Sequence, residues 1–196
     1  MNLPNKLTIS RIALTVIFLF FLFAHGPAYK ILALFTFIIA ALTDFLDGYI
    51  AKKYNLISDF GRLMDPIADK VLTLSAFLAF VEMSLIPAWM VVIIILREFV
   101  VTGMRLLALQ KHKVIEATLA GKHKTVSQIT AIFIILIFII LREFGESLEF
   151  WTPKAENCFE AAILLLMSLT VIFTLISGTS FFIRNRKIFI NERQNS

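Results

Sequence analysis

Four aspartates stand out in a chain that is otherwise poor in charge. Asp44 and Asp47 lie in Thr43-Asp44-Phe45-Leu46-Asp47-Gly48-Tyr49-Ile50-Ala51-Lys52. Asp65 and Asp69 lie in Gly61-Arg62-Leu63-Met64-Asp65-Pro66-Ile67-Ala68-Asp69-Lys70. Spacings of three and four residues place each pair on one face of a helix. Consecutive helices joined by a short loop usually pack side by side, so the two pairs can face each other. Four carboxylates in a small volume repel, and near a membrane that repulsion is screened less than in water. Protonation, basic partners or bound cations must compensate. Hard oxygen donors without His or Cys favour Mg²⁺, Mn²⁺ or Ca²⁺ over Zn²⁺. Two divalent ions would match four carboxylates in charge, and such a pair can clamp a pyrophosphate and stabilise a leaving oxygen. Gly48, Ala51 and Gly61 sit at register positions beside the aspartates, where small side chains let a ligand or a second helix approach the backbone.

A second group of candidates is basic. Arg97-Glu98-Phe99 and Gly103-Met104-Arg105 fall in one apolar run, and Gly121-Lys122-His123-Lys124-Thr125 precedes the next. Arg97 and Arg105 are eight residues apart and share roughly one helix face. With Lys122 and Lys124 they could line a basic pocket, which a phosphorylated substrate would need and a neutral alcohol would not. Arg97 lies deep enough in its run to require a partner. Glu98 is expected to pair with a neighbouring cation. His112 and His123 sit among lysines, where solvation is the simpler role.

The elements that must position these residues are apolar helices. Hydrophobic residues make up 59% of the 196-residue chain, charged residues 17%, and Phe alone occurs 20 times. A soluble domain of this size cannot bury so much apolar surface. Six runs approach the length needed to cross a bilayer: 7–24, 31–51, 67–81, 88–109, 126–141 and 159–183. At membrane depth such runs must be helical. The expected fold is therefore all-α, a polytopic membrane protein with six transmembrane helices. A single membrane domain spans residues 1–190, and 191–196 form a polar tail. Leu3, Pro4 and Leu7 beside Asn5 and Lys6 suggest a short amino-terminal interfacial helix. Ala24-His25-Gly26 loosely resembles a signal-peptide cleavage site, but the first run is read as a retained span.

Lys and Arg concentrate in alternate connections, around Lys6, Lys52, Lys111, Lys122 and Arg184. The opposite connections hold Lys30, Arg142 and Lys154 with several glutamates. By the positive-inside rule both termini and the aspartates face the cytoplasm. The net charge of +5 therefore points to anionic lipid headgroups rather than nucleic acid. The lone Cys158 excludes an intramolecular disulfide and a cysteine-based metal cluster.

Taken together, Asp44, Asp47, Gly48, Ala51, Gly61, Asp65 and Asp69 resemble the signature of the CDP-alcohol phosphatidyltransferase family, D-x2-D-G-x2-A-R followed by G-x3-D-x3-D. The resemblance implies a homodimeric membrane enzyme that transfers a phosphatidyl or related group from a CDP-linked donor to an alcohol and releases CMP. It implies that Asp44, Asp47, Asp65 and Asp69 hold two divalent cations, Mg²⁺ or Mn²⁺, and that Asp69 also acts as general base. Gly48, Lys52, Ser58 and Gly61 are the implied contacts to the CDP moiety. Asn5 and Thr8, in an Asn-x2-Thr-x2-Arg stretch, are assigned to donor binding by the same resemblance. One position departs: Lys52 stands where the family usually has Arg, which keeps the charge but loses the planar two-bond fork.

Arg-Glu-Phe, Gly-x-Arg and Gly-Lys-x-Lys-Thr resemble the bacterial branch of the family whose acceptor is glycerol 3-phosphate. That resemblance implies CDP-diacylglycerol as donor, a plasma-membrane location with the site facing the cytoplasm, and acceptor-phosphate binding by Arg97, Arg105, Lys122 and Lys124. Other branches, with inositol phosphate, serine or phosphatidylglycerol as acceptor, are the near alternative. A divalent-cation transporter is the distant one, since transport sites usually lie near the bilayer midplane. A non-catalytic scaffold leaves the ordered aspartates without a role.

Overall fold

The computed structural model describes residues 3–54, 59–110, 119–149 and 151–190, with side chains described within 9–43, 70–108, 121, 123–149 and 151–185. Six helices follow in order: α1 (Leu3–Phe23), α2 (Pro27–Tyr54), α3 (Asp59–Glu82), α4 (Ala88–Gln110), α5 (Leu119–Ser147) and α6 (Pro153–Ile190). Among the described residues there is no strand. Each helix overlaps one of the expected apolar runs. The amino-terminal segment is corrected: α1 is continuous from Leu3, so among the described residues no separate interfacial helix precedes it. Nothing in 3–8 breaks the helix, because Pro4 falls in its first turn, where a missing N–H has no intrahelical partner to lose.

Local chemistry sets several helix ends. Gly26 has φ 109, a conformation that other residues rarely adopt, and reverses the chain before Pro27 opens α2. Thr152 caps α6: its hydroxyl accepts from the Ala155 N–H at 3.2 Å, with Pro153 at the first helical position. Threonines within the helices return their hydroxyls to carbonyls one turn back, as Thr170 does to Leu166 (3.0 Å) and Thr174 to Thr170 (2.7 Å). This satisfies polar groups without a partner helix.

α1 packs on α2 and α3, α2 on α5, α5 on α6, and α6 on α4, while α3 also meets α4 and α5. The core is aromatic and aliphatic, with Phe18, Phe37, Phe77, Phe80, Ile94, Ile132, Ile135 and Met167 at most 2% exposed. The exterior is equally apolar, with Phe20 and Ile183 each 68% exposed. Residues 123–147 and 153–185 are long and apolar enough to cross a membrane. Only 39% and 28% of their most apolar windows are buried within the protein. The core helix of a soluble protein would be mostly enclosed. Outward apolar faces of this extent fit contact with lipid.

Candidate active site

Among the described residues α4 and α5 make no close backbone contact, although both pack on α3 or its neighbours. The gap between them is a cavity of about 520 Å³, lined from five helices. α1 contributes Arg11, and α2 contributes Phe37 and Ala41. α3 contributes Lys70, Leu72 and Thr73, and α4 contributes Arg97, Glu98, Val101, Thr102 and Arg105. α5 contributes Gly121, Lys124, Thr125, Val126, Gln128 and Ile129. Its volume falls in the range of small-molecule sites. Among the described residues its lining holds five cationic side chains, Arg11, Lys70, Arg97, Arg105 and Lys124, and the carboxylate of Glu98.

Glu98 organises this group. The residue is 7% exposed, and its Oε1 accepts from Arg97 Nη1 at 3.1 Å and from Lys124 Nζ. Its Oε2 lies 3.6 Å from Lys70 Nζ. Lys70 also donates to the Glu98 carbonyl (3.2 Å) and to the Thr102 hydroxyl. Helices α3, α4 and α5 are thus tied through one carboxylate. A buried charge requires such pairing, because an isolated ion in a low-dielectric interior loses its hydration without compensation. Among the described side chains the cations outnumber the carboxylate, a balance that favours an anion beside them.

Arg97 is held from a fourth helix. Its Nη2 donates to Ser177 Oγ on α6 at 2.7 Å. Gly178 lets α6 pass close by, since a Cβ there would stand 3.3 Å from Arg97 Cγ. Arg105 lies with its guanidinium carbon 5.8 Å from the centre of the Phe181 ring, a cation–π distance. The Nε atoms of Arg97 and Arg105 are buried without a hydrogen-bond partner among the described residues.

The structure brings Arg97, Arg105 and Lys124 to one cavity. Lys122 is on α5 within the same first turns, with its side chain outside the described residues. Asp44, Asp47, Gly48 and Lys52 lie on the last turns of α2; Gly61, Asp65 and Asp69 lie on the first turns of α3. The helical backbone carries their spacings of three and four, so each aspartate pair keeps a common register. Their side chains lie outside the described residues, as do those of Asn5 and Thr8 on α1, while Ser58 lies outside altogether. The cavity nevertheless adjoins both acidic segments along the chain. Ala41 precedes Asp44 by three residues, and Lys70 directly follows Asp69. Among the described residues no group of three or more His, Cys, Asp or Glu is arranged to hold a metal.

Lys70, Thr102, Gln128, Ser177 and Gly178 went unassigned in the sequence. Lys70 neighbours an expected metal ligand, and only the fold shows it pointing at Glu98. Ser177-Gly178 carried no motif, because its partner lies 80 residues away on another helix.

An all-helical scaffold with outward apolar faces fits a membrane protein, and comparison with known proteins gives its class, a transferase family. Residues 1–182 match the CDP-alcohol phosphatidyltransferase family, and the chain belongs to that family. Among its relatives is a CDP-diacylglycerol–glycerol-3-phosphate 3-phosphatidyltransferase of Bacillus subtilis (strain 168), 38% identical over 94% of this chain and 95% of the relative. A protein of the same name from Rickettsia bellii (strain RML369-C) is 35% identical over 96% of this chain and 97% of its own length. A probable phosphatidylglycerophosphate synthase of Mycobacterium tuberculosis (strain ATCC 25618 / H37Rv) is 33% identical over 93% and 81%.

Proposed function

We propose that the protein transfers the phosphatidyl group of CDP-diacylglycerol to glycerol 3-phosphate, giving phosphatidylglycerophosphate and CMP. The observation that carries this is the cavity itself. Arg97, Arg105, Lys124 and Lys70 converge on a space sized for a small anion, directly along the chain from the four aspartates. The relatives bearing this activity in their names match nearly the full length of the chain, which supports the same acceptor.

Asp44, Asp47, Asp65 and Asp69 are hard oxygen donors at helical spacings on adjoining helices, which suits a pair of divalent cations such as Mg²⁺ or Mn²⁺. When bound, those ions supply charge stabilisation to the donor's diphosphate. The chain's own residues do the rest. Arg97, Arg105, Lys122 and Lys124 hold the acceptor phosphate. Asp69 takes the proton from the acceptor's primary hydroxyl as its oxygen bonds to the phosphorus bearing diacylglycerol. The bond from that phosphorus to the CMP oxygen breaks, and CMP leaves. Gly48, Lys52, Ser58 and Gly61, with Asn5 and Thr8, contact the CDP portion. Fixing both substrates removes the entropic cost of their encounter.

All six helices span the bacterial plasma membrane in this reading, with the acidic ends and the cavity mouth at the cytoplasmic face and two copies forming a homodimer. That placement suits a lipid-anchored donor and a water-soluble acceptor. An acceptor panel tests it. With CDP-diacylglycerol as donor, glycerol 3-phosphate should give a lipid product, whereas inositol phosphate, serine and phosphatidylglycerol should not. Preference for any of the other three would reassign the acceptor.

A further inference from the structure

One polar side chain in the cavity is explained neither by the ion pairs nor by the family signature. Gln128 lies on α5 one turn beyond Lys124, is 4% exposed and lines the cavity. Its Nε2 has no hydrogen-bond partner among the described residues. A buried amide N–H₂ without a partner is disfavoured, and each such group in a folded protein calls for an explanation, a bound molecule among them. The cavity lining holds two kinds of polar group. Phosphate is matched by the guanidinium and ammonium groups of Arg97, Arg105 and Lys124. A carboxamide carries no charge and offers a donor and an acceptor together, which is the complement of a hydroxyl.

Glycerol 3-phosphate presents three features in order: the phosphate, a secondary hydroxyl that takes no part in the transfer, and the primary hydroxyl that does. The cations account for the first and the acidic helix ends for the last. We propose that Gln128 is a specificity-determining residue that hydrogen-bonds the secondary hydroxyl of the acceptor, an assignment that rests on the acceptor named above. Its contact would orient the glycerol backbone so that the primary hydroxyl reaches the donor. Sites built to hydrogen-bond a hydroxyl discriminate strongly against analogues that lack it, because their own polar group is then left buried and unpaired.

The test compares two acceptors, glycerol 3-phosphate and 3-hydroxypropyl phosphate, which differ only in the secondary hydroxyl. Full-length protein in detergent is assayed for CMP release from CDP-diacylglycerol, as wild type, Gln128→Met and Gln128→Leu. Both substitutions keep apolar bulk and remove the amide. The expected result is a fall of about 10- to 100-fold in kcat/KM for glycerol 3-phosphate, with 3-hydroxypropyl phosphate changed by less than about twofold. Loss of discrimination between the two acceptors is the signature. An equal fall with both acceptors in both variants would make Gln128 a packing residue and overturn the assignment, as would no change with either. If the wild type releases no CMP with glycerol 3-phosphate, the acceptor reading fails first, before any variant is compared.

Discussion

The two ends of the helix bundle handle charge in opposite ways. At the end away from the cavity, polar groups are satisfied locally. Glu143 accepts from the Gly26 N–H at 2.6 Å, fastening α5 to the α1–α2 turn. Lys30 donates to the carbonyls of Leu22 (2.7 Å) and Ala24 (2.8 Å), closing the last turn of α1. Arg142 bridges Glu146 at 2.9 Å and Glu156 at 3.3 Å, and Glu156 accepts from the Trp151 ring N–H at 2.6 Å. The space beside them, lined by Leu85, Phe138 and Trp151, is only about 20 Å³. At the other end a roughly 520 Å³ cavity gathers, among the described residues, five cations and the Glu98 carboxylate, and buried nitrogens of Arg97, Arg105 and Gln128 have no hydrogen-bond partner among those residues. Charge paired in this way fastens helices together. A cationic lining around such a space suits the anionic acceptor proposed above.

That contrast can be broken most severely at the acidic edge of the cavity end. Asp69→Asn should lower turnover by about 10²–10⁴-fold, the usual contribution of a general base, while the detergent-solubilised protein keeps its melting temperature. Near-normal turnover would remove Asp69 from that role. Arg97→Ala should come next, with kcat/KM for glycerol 3-phosphate down by about 10- to 150-fold, the range of a charge-assisted hydrogen bond, and KM for CDP-diacylglycerol little changed. Steady-state kinetics in both substrates separates the two. Ser177→Ala, which frees Arg97 Nη2 from α6, should raise KM for glycerol 3-phosphate by roughly 2- to 10-fold, as expected for one neutral hydroxyl partner. Unchanged KM would show that α6 does not hold Arg97 in place. Arg142→Ala at the opposite end should leave kcat/KM within about twofold and cost no more than about 1 kcal/mol in thermal unfolding, since its pair with Glu146 is largely exposed. A strong loss of activity there would erase the distinction between the ends.

The helices were legible in the sequence because long apolar runs in this composition have few other folds. Their ends were less so. The third run was expected from Ile67, yet α3 begins at Asp59; the fifth was expected from Val126, yet α5 begins at Leu119. Hydropathy marks the stretch suited to lipid, whereas capping and turn chemistry mark where the backbone helix starts. The basic pocket was partly legible. Arg97 and Arg105 share a face by spacing alone, and Glu98 was expected to find a cation. That it would gather Lys70, Arg97 and Lys124 from three helices could not be read from one sequence, since no local spacing encodes a contact between helices. Gln128 and Ser177 were silent for the same reason: a single polar residue in an apolar run has no periodicity. The aspartates were the reverse case, conspicuous in the sequence, with their side chains outside the described residues.

The most direct measurement is CMP release from CDP-diacylglycerol by the purified protein, with and without glycerol 3-phosphate, in Mg²⁺ or Mn²⁺. Release should require the acceptor, yield one phosphatidylglycerophosphate per CMP and cease when a chelator removes the divalent ions. Release that is indifferent to glycerol 3-phosphate, or no release at all from protein with a cooperative melting transition, would contradict the assignment of the basic cavity to that acceptor.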